Sequence, residues 1–142
     1  MFVDASAMVA LLLGEAVAPS LLRQPRAHES RALVTNVIAV WEIVAAIRTK
    51  RGGPLGAADA DVAEAMSVMR METLPITNAD LGHALGAFDR YGRHRYPDPR
   101  DRNKGLNIAD CFHYATAKVR RIPIFTLDAG FLATDLEVVG VA

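Results

Sequence analysis

The sequence contains little that would place the protein in a membrane or outside the cytoplasm. Cys111 is the only cysteine, which excludes an internal disulfide framework and is typical of a reducing compartment. No apolar run approaches the roughly 20 residues that a membrane-spanning helix needs. No basic segment precedes the first apolar stretch, as a secretory signal would require. We therefore expect a cytoplasmic protein without membrane association.

An excess of charge of either sign is also missing. Lys and Arg total 16, as do Asp and Glu, so the formal net charge is zero and no overall field attracts a nucleic acid. Any nucleic acid must then be recognised by a local group of charges. With 51% hydrophobic residues among 142, the chain can bury a sizeable core. We find no repeat, low-complexity segment or linker, and we predict a single domain over residues 1–142.

Short apolar runs alternate with segments of helical periodicity along the chain. This alternation predicts a three-layer α/β/α domain with a mainly parallel central sheet. The predicted strands cover residues 1–3, 33–34, 74–76, 122–127 and 136–141. Four helices are predicted to follow Asp4, Asn36, Pro54 and Asn107, and a fifth is predicted to be capped by Asn78. A further short helix is predicted over residues 16–23, ahead of a polar connection over residues 25–30.

The segment 106–131 combines a helix start with an acidic strand end. Asn107 is a good N-cap whose side-chain oxygen can accept from the amide of Asp110, and the helix dipole favours a carboxylate at Asp110. Asp128 directly follows the apolar run 122–127. Because functional groups collect beyond the carboxyl ends of parallel strands, Asp110 and Asp128 are expected to share one crevice.

Two further acids stand in informative surroundings. Asp4 follows the first predicted strand, where its simplest role is to cap the next helix. Glu42 is the one charge between Val37 and Ile47 on a helix that is apolar almost all round, so we expect this helix to be buried. A mid-helix glutamate is ordinarily solvated, but a buried one needs a partner, and a bound cation would supply it.

Four carboxylates gathered in one cleft repel each other. Like charges about 4 Å apart cost roughly 4 kcal/mol at an effective dielectric constant of 20, and a divalent cation removes this cost. An all-oxygen set of ligands favours Mg²⁺ or Mn²⁺, and neither the single cysteine nor the histidines have the spacing of a zinc site. The sequence therefore predicts a metal site formed by Asp4, Glu42, Asp110 and Asp128.

These residues together resemble those of a known family. The opening segment 2–7, Glu42 in its apolar helix, and the segments 106–118 and 126–131 are similar to those of PIN-domain ribonucleases, specifically VapC-type toxins of bacterial toxin-antitoxin pairs. The resemblance covers essentially the whole chain. It implies a metal-dependent endoribonuclease that hydrolyses RNA, with Asp4, Glu42, Asp110 and Asp128 as its acidic quartet. Ser6, Asn107 and Thr126 would be polar supports of this site.

The resemblance also implies partners. It predicts a homodimer that is neutralised by a VapB-type antitoxin. We expect an amphipathic segment of that antitoxin to lie between the N-terminal helices and the stripe that ends in Met66 and Met69. For the fourth acid, Asp135 near the same end of the chain is an alternative to Asp128, and we rank Asp128 first because it directly follows the strand.

The segment 92–105 concentrates positive charge in an otherwise neutral chain. Its aperiodic sequence predicts a long loop, and a solvated loop without a role is the simpler interpretation. Because it leads into Asn107 and Asp110, we expect its basic residues to hold RNA phosphates and Tyr96 to stack on an unpaired base. These basic residues are Arg93, Arg95, Arg100, Arg102 and Lys104, opposed by Asp98 and Asp101.

Other functions remain open at this point. A solitary PIN-domain nuclease that processes RNA would show the same residues, and only a neighbouring antitoxin gene would distinguish it. A Mg²⁺-binding receiver-like signalling domain would need paired acids after the first strand, yet Asp4 has no acidic neighbour until Glu15. A haloacid-dehalogenase-type phosphatase would need Asp at position 6, which is Ser6. A protein scaffold would leave Glu42 unexplained.

Overall fold

Strands and helices alternate along the chain as the sequence predicts. The computed structural model describes residues 1–21, 23 and 32–141, so the predicted polar connection over residues 25–30 lies outside the described residues. The strands are β1 (Phe2–Val3), β2 (Val34–Asn36), β3 (Glu72–Leu74), β4 (Ile124–Phe125) and β5 (Val138–Val139). The α-helices are α1 (Ala5–Leu13), α2 (Ala18–Leu21), α3 (Val37–Arg51), α4 (Leu55–Val68), α5 (Asn78–Tyr91) and α6 (Ile108–Arg120).

The five strands form one parallel sheet in the order β3-β2-β1-β4-β5. Its side chains alternate between two cores, as the period of a strand requires. Val3 and Phe125 pack with residues of α1, α3 and α4, whereas Phe2 and Ile124 pack with residues of α5 and α6. The predicted three-layer arrangement with a parallel sheet is therefore confirmed, and β1 lies at its centre.

The N-cap residues of the helices were predicted from the sequence and can be compared with the structure. Asp4, Asn36 and Asn107 cap α1, α3 and α6 through their side-chain oxygens, as predicted. The prediction that Asn78 caps α5 is wrong by one residue, because Thr77 forms a capping box with Asp80 instead. Asp4 directly follows β1, Asn36 is the last residue of β2, and Asn107 directly precedes α6, so these three confirmed caps lie next to the edge at which the acids gather.

Helix α3 is only partly buried, which corrects the expectation of a helix covered on all sides. Ala39, Ile43, Val44 and Ile47 face the interior, but Val37 is 57% exposed and Trp41 is 71% exposed. The helix packs against α1, α4 and α6, and these neighbours leave one face of it uncovered among the described residues. An apolar surface that continues around a helix therefore does not establish burial by itself.

The segment 92–105 contains more structure than the predicted aperiodic loop. It includes two short 3₁₀ helices, Arg93–Arg95 and Pro99–Lys104, the second capped by Asp98, whose Oδ1 accepts from the amide of Arg100 at 2.9 Å. Its two ends are tied together, since the amide of Arg93 donates to Leu106 O and that of Leu106 donates to Tyr91 O. The segment is thus a loop whose two ends are held together next to Asn107.

Among the described residues, no helix has the length and apolar character to cross a membrane.

Candidate active site

Asp4 is the most firmly held acid of the predicted set. Its side chain caps α1 at the end of β1, and the residue is 3% exposed. Oδ2 of Asp4 accepts hydrogen bonds from the hydroxyls of Ser6 and Thr126, at 2.5 and 2.7 Å. Burial disfavours the carboxylate, but contacts with His113, Ser6 and Thr126 outweigh it and lower the pKa of Asp4. Asp4 is therefore a preorganised anion.

Ser6 and Thr126 form a network that ties two chain segments to Asp4. Oγ of Ser6 also accepts from the amide of Leu127 at 2.9 Å, and Oγ1 of Thr126 accepts from the amide of Asp128 at 2.9 Å. Each hydroxyl thus holds Asp4 on one side and the β4 end on the other. This arrangement supports the predicted role of both residues as polar supports.

Asp110 lies at the start of α6 in a reciprocal cap. Its Oδ2 accepts from the amide of Asn107 at 2.7 Å, and its own amide donates to Oδ1 of Asn107 at 2.9 Å. Burial raises the pKa of Asp110 to about 6; the bond from Asn107 opposes this rise, and the charges of Asp128 and Asp4 add to it. Asp110 is therefore a carboxylate under electrostatic strain that a cation would relieve.

Asp128 lies close enough to the other acids for its charge to interact with those of Asp4 and Asp110. Its Oδ1 accepts from the amide of Gly130 at 2.7 Å at the start of the 3₁₀ helix Ala129–Ala133. Burial raises the pKa of Asp128, a rise that the Gly130 amide opposes, and the charge of Asp4 contributes to it. Asp135 lies elsewhere, accepting from the Tyr114 hydroxyl at 2.8 Å and from Nζ of Lys118 at 2.6 Å. The geometry therefore favours Asp128 over Asp135 as the fourth acid.

Glu42 reaches the site from α3 through a residue that sequence reasoning missed. His113, which is 0% exposed, lies between the two acids: Nδ1 is 3.0 Å from Oδ1 of Asp4, and Nε2 is 3.4 Å from Oε2 of Glu42. Neither nitrogen has a partner with hydrogen-bond alignment among the described residues, so these contacts are chiefly ionic. Burial lowers the pKa of His113, but the neighbouring carboxylates outweigh it and raise that pKa.

A signal for His113 does exist in the sequence. Asp110 and His113 are three residues apart on a helix, and this spacing places both side chains on one face. Sequence reasoning considered histidines only for the spacing of zinc sites and did not use this relationship. Burial of Glu42 raises the pKa of its carboxyl, and the charge of His113 opposes this rise.

The arrangement fits a divalent cation. One ligand atom each of Asp4, Asp110 and His113 lies within 4.8 Å of the others, and all three residues are buried. Glu42 and Asp128 flank this group, each with a pKa that burial raises. The donors are mostly carboxylate oxygens, which favour Mg²⁺ or Mn²⁺. The two nitrogens of His113 make no aligned hydrogen bond to another described residue.

The basic residues beside the site are not equivalent. Arg100 is ion-paired to Asp98 at 2.6 Å and Lys104 to Asp101 at 2.9 Å, so these two charges are partly neutralised within the segment. The Arg93 guanidinium donates to Gly105 O at 3.3 Å, and its charge lowers the pKa of Asp128. Among the basic residues of this segment, Arg93 is therefore the one whose charge acts on an acid of the site.

Comparisons with known proteins identify the family of the chain. The family model of the PIN domain matches residues 1–136. A VapC ribonuclease of Mycobacterium bovis is 32% identical over 145 residues, a match that covers 99% of this chain and 94% of the relative.

Two solved structures have the same fold. One is a toxin-antitoxin complex from Klebsiella pneumoniae, with a TM-score of 0.66 at 16% identity over 97% of this chain and 94% of that one. The other is VapC20 of Mycobacterium tuberculosis, a sarcin-ricin loop cleaving toxin, with a TM-score of 0.63 at 20% identity over 95% of both chains.

Proposed function

This chain belongs to the PIN domain family, as a ribonuclease of the VapC type, and we propose that Asp4, Glu42, Asp110 and Asp128 form its catalytic site. The observation that carries this assignment is the buried group of Asp4, Asp110 and His113, whose ligand atoms lie within 4.8 Å of one another. The protein is an endoribonuclease and the toxin of a VapBC-type pair. We further propose that residues 1–142 form one nuclease domain.

The metal is proposed to be Mg²⁺ or Mn²⁺. Asp4 and Asp110 would hold it, with Glu42 and Asp128 completing the anionic surroundings. A bound divalent cation neutralises charge on a phosphodiester oxygen and makes a nearby water more acidic. The selection of these ions over Zn²⁺ follows from the predominance of carboxylate oxygens.

The side chains of the site have separate tasks in this proposal. We assign Ser6 a supporting role, since its hydroxyl donates to Asp4 and accepts from the amide of Leu127. A water molecule is then the attacking group, as expected for hydrolysis. Thr126 and Ser6 keep Asp4 in one orientation, and Asn107 does the same for Asp110. His113 spaces Asp4 from Glu42 and balances part of their charge.

Cleavage of RNA by the purified protein tests the assignment. Activity should require added Mg²⁺ or Mn²⁺ and disappear in excess EDTA. Asp4→Asn and Asp110→Asn should abolish cleavage and growth inhibition while circular dichroism shows an unchanged fold. Glu42→Gln should lose activity as well. Full cleavage by either aspartate variant, or by the wild type in EDTA, would remove the metal-nuclease assignment.

A VapB-like antitoxin is the proposed protein partner. A groove between α1 and α4 offers it an apolar surface, which Met8, Leu11, Leu12, Ala65, Val68 and Met69 line. Val68 is 78% exposed there, and Arg51, Asp61 and Glu64 form a charged border. An amphipathic segment fits such a groove by burying one apolar face and pairing its flanks. The sequence suggested an antitoxin segment beside Met66 and Met69, and of these two residues Met69 lines this groove.

A homodimer is proposed from a different surface. Helices α5 and α6 border an apolar groove of about 610 Å³ in which several large side chains are exposed. These are Leu81 at 46%, Leu85 at 58%, Phe88 at 53% and Ile108 at 80%. A patch of this kind on a folded domain marks a protein interface, since its burial is favourable. Sedimentation equilibrium should give twice the monomer mass for the wild type and a monomer for Leu85→Glu.

A further inference from the structure

Trp41 is the exposed aromatic residue that shares a groove with the proposed active site. It immediately precedes Glu42 on α3 and is 71% exposed. A groove of about 520 Å³ between α1 and α3 is lined by Trp41 together with Ser6, Glu42 and Leu127. A chain held at the carboxylates can therefore continue along this groove and reach the indole.

The indole has no role within the described part of the protein. Neither a hydrogen bond nor a ring contact joins Trp41 to another described residue, whereas the Phe88 ring lies 4.4 Å from that of His94. Tyr96, which the sequence suggested for base stacking, lies close enough to Gly105 that a β-carbon there would meet its ring at 2.8 Å. Among the described residues, Trp41 is thus the aromatic ring beside the site with a free face.

A cation lies on the same face of α3. Arg48 follows Trp41 by two helical turns, which is about 10 Å along the axis, and both residues line a second groove between α3 and α4. In the last turn of α3, Lys50 pairs with Glu15 and Arg51 with Asp61, both at 3.2 Å. The exposed side chain of Arg48 has no ion-pair or hydrogen-bond partner among the described residues, so its charge is available to a ligand.

We propose that the RNA strand leaving the active site runs along the exposed face of α3, with an unpaired base stacked on Trp41 and a phosphate beside Arg48. This inference rests on the proposed function and assigns it a substrate form, which is single-stranded RNA next to the scissile bond. Stacking on an aromatic ring requires a base that is free of its neighbours, and a nearby cation holds the backbone. A duplex cannot present such a base without opening.

A protein segment is the competing occupant, because Val37 and Leu55 of the second groove are also exposed. Two observations favour RNA. The groove of Trp41 is continuous with Ser6 and Glu42, which any bound substrate must approach. Arg48 adds a charge on α3 that a phosphate neutralises, and Asp59, the acid that lines the same groove, stands on α4 and not on the face of α3.

Trp41 is the only tryptophan of the chain, so its fluorescence reports on this surface directly. Asp4→Asn protein in EDTA is titrated with a fluorescein-labelled single-stranded RNA of about 12 nucleotides, a length within the site sizes of single-strand binders. Anisotropy confirms binding, and an unlabelled strand is used for the tryptophan signal. We expect strong quenching with the single strand and little with the same sequence in a duplex. Bound RNA without quenching would overturn the proposal.

Variants separate stacking from charge. Trp41→Ala should weaken single-strand binding about 5- to 150-fold, and Trp41→Phe should retain most of the affinity. Arg48→Gln should lower the slope of log affinity against log salt by about 0.7. Val119→Ala and Arg70→Gln are matched controls at exposed positions outside both grooves, and they should bind as the parent protein does. Affinity unchanged in Trp41→Ala would overturn the proposal.

Cleavage kinetics distinguish this inference from the proposed function. In otherwise wild-type protein, Trp41→Ala should raise KM with kcat nearly unchanged, because it removes binding rather than chemistry. If the wild type cleaves RNA and Trp41→Ala does so with the same KM, the inference fails and the nuclease assignment stands. If the wild type does not cleave but RNA still quenches Trp41, the assignment fails and the RNA surface stands. Quenching or protection of Trp41 by the antitoxin alone would assign the surface to protein and overturn the proposal.

Discussion

Nδ1 of His113 lies 3.0 Å from Oδ1 of Asp4, and both side chains are almost completely buried. On the other side of the same ring, Nε2 faces Oε2 of Glu42 at 3.4 Å. One imidazole from α6 therefore connects an acid at the end of β1 with an acid on α3. Three elements that are distant in sequence meet at this ring, and its removal would leave two carboxylates facing a cavity.

Replacement of His113 tests this relationship. His113→Ala should lower the affinity for Mn²⁺ or Mg²⁺ about 10- to 100-fold, as loss of a residue that orients ligands typically does. His113→Gln can still donate one hydrogen bond and should recover part of the affinity. Calorimetric titration of each folded variant with the metal measures the effect. Wild-type affinity in His113→Ala would show that the ring only fills space.

The carboxyl of Asp110 makes the metal-free protein sensitive to pH. Its pKa is raised to about 6 in the folded state, above the ordinary value of 3.8, so the neutral form is favoured by folding. Its contribution to stability is complete below pH 3.8 and is lost as the pH rises through about 6. The difference corresponds to about 3 kcal/mol at most.

Asp110→Asn should therefore stabilise the metal-free protein near pH 7 and have little effect near pH 3.5. Urea unfolding in EDTA at several pH values measures the difference from the wild type. Added Mg²⁺ should stabilise the wild type and leave the variant nearly unchanged. A constant difference between the two proteins across this pH range would contradict the electrostatic origin of the effect.

The choice between Asp128 and Asp135 is open to a paired comparison. Asp128→Asn should strongly reduce cleavage, because the charge of Asp128 acts on Asp110 and the charge of Asp4 acts on Asp128. Asp135→Asn should keep cleavage and cause a small loss of stability, since Lys118 and Tyr114 lower the pKa of Asp135. That loss should vanish as the pH falls through the folded-state pKa, where the wild-type carboxyl is protonated. Reversal of the two activities would identify Asp135 as the fourth acid.

The basic segment 92–105 should contribute unequally to RNA binding. Arg93 influences Asp128, whereas Arg100 is held by Asp98, so Arg93→Ala should weaken RNA binding more than Arg100→Ala. Each lost phosphate contact lowers the salt slope by about 0.7 for single strands. Binding of the Asp4→Asn protein to RNA at several salt concentrations measures both values. Arg95, Arg102 and Lys104 remain predicted contacts that the same titration can examine.

The α1–α4 groove should matter for the antitoxin and not for cleavage. Val68→Glu places a charge on the exposed apolar wall and should weaken the complex at least tenfold while RNA cleavage remains normal. Co-expression with the product of the neighbouring gene, followed by affinity purification, measures the complex. A stable complex in which activity is still suppressed would place the antitoxin elsewhere.

Several features of the fold were predictable because they depend on neighbouring residues. Asn107 and Asp110 are three positions apart, which is the spacing of a capping box, and the structure contains that box. The PIN-domain resemblance and the parallel α/β fold were predicted from motifs and from the alternation of strands and helices, and the family match and the observed sheet confirm them. The identity of the metal ligands is still a prediction.

Other features of the structure could not be predicted from neighbouring residues, because they depend on how the elements pack against each other. The cap of α5 was misplaced by one residue because Asn78 and Thr77 are both good N-caps, and Asp80 decides between them. The burial of α3 was overestimated because its apolar residues extend around the helix, and only packing reveals which of them are covered. Trp41 became informative through its exposure, which no periodicity in the sequence could predict.

The sequence by itself determined the local elements, the positions of the acids after strands and at a helix start, and the family. These properties arise from hydrogen bonds and side-chain periods that span a few residues. Tertiary structure alone decided that His113 bridges Asp4 and Glu42, that Lys118 and Tyr114 hold Asp135, and that Trp41 faces solvent. Such contacts join residues far apart in the chain, so they follow from how the layers pack around the sheet.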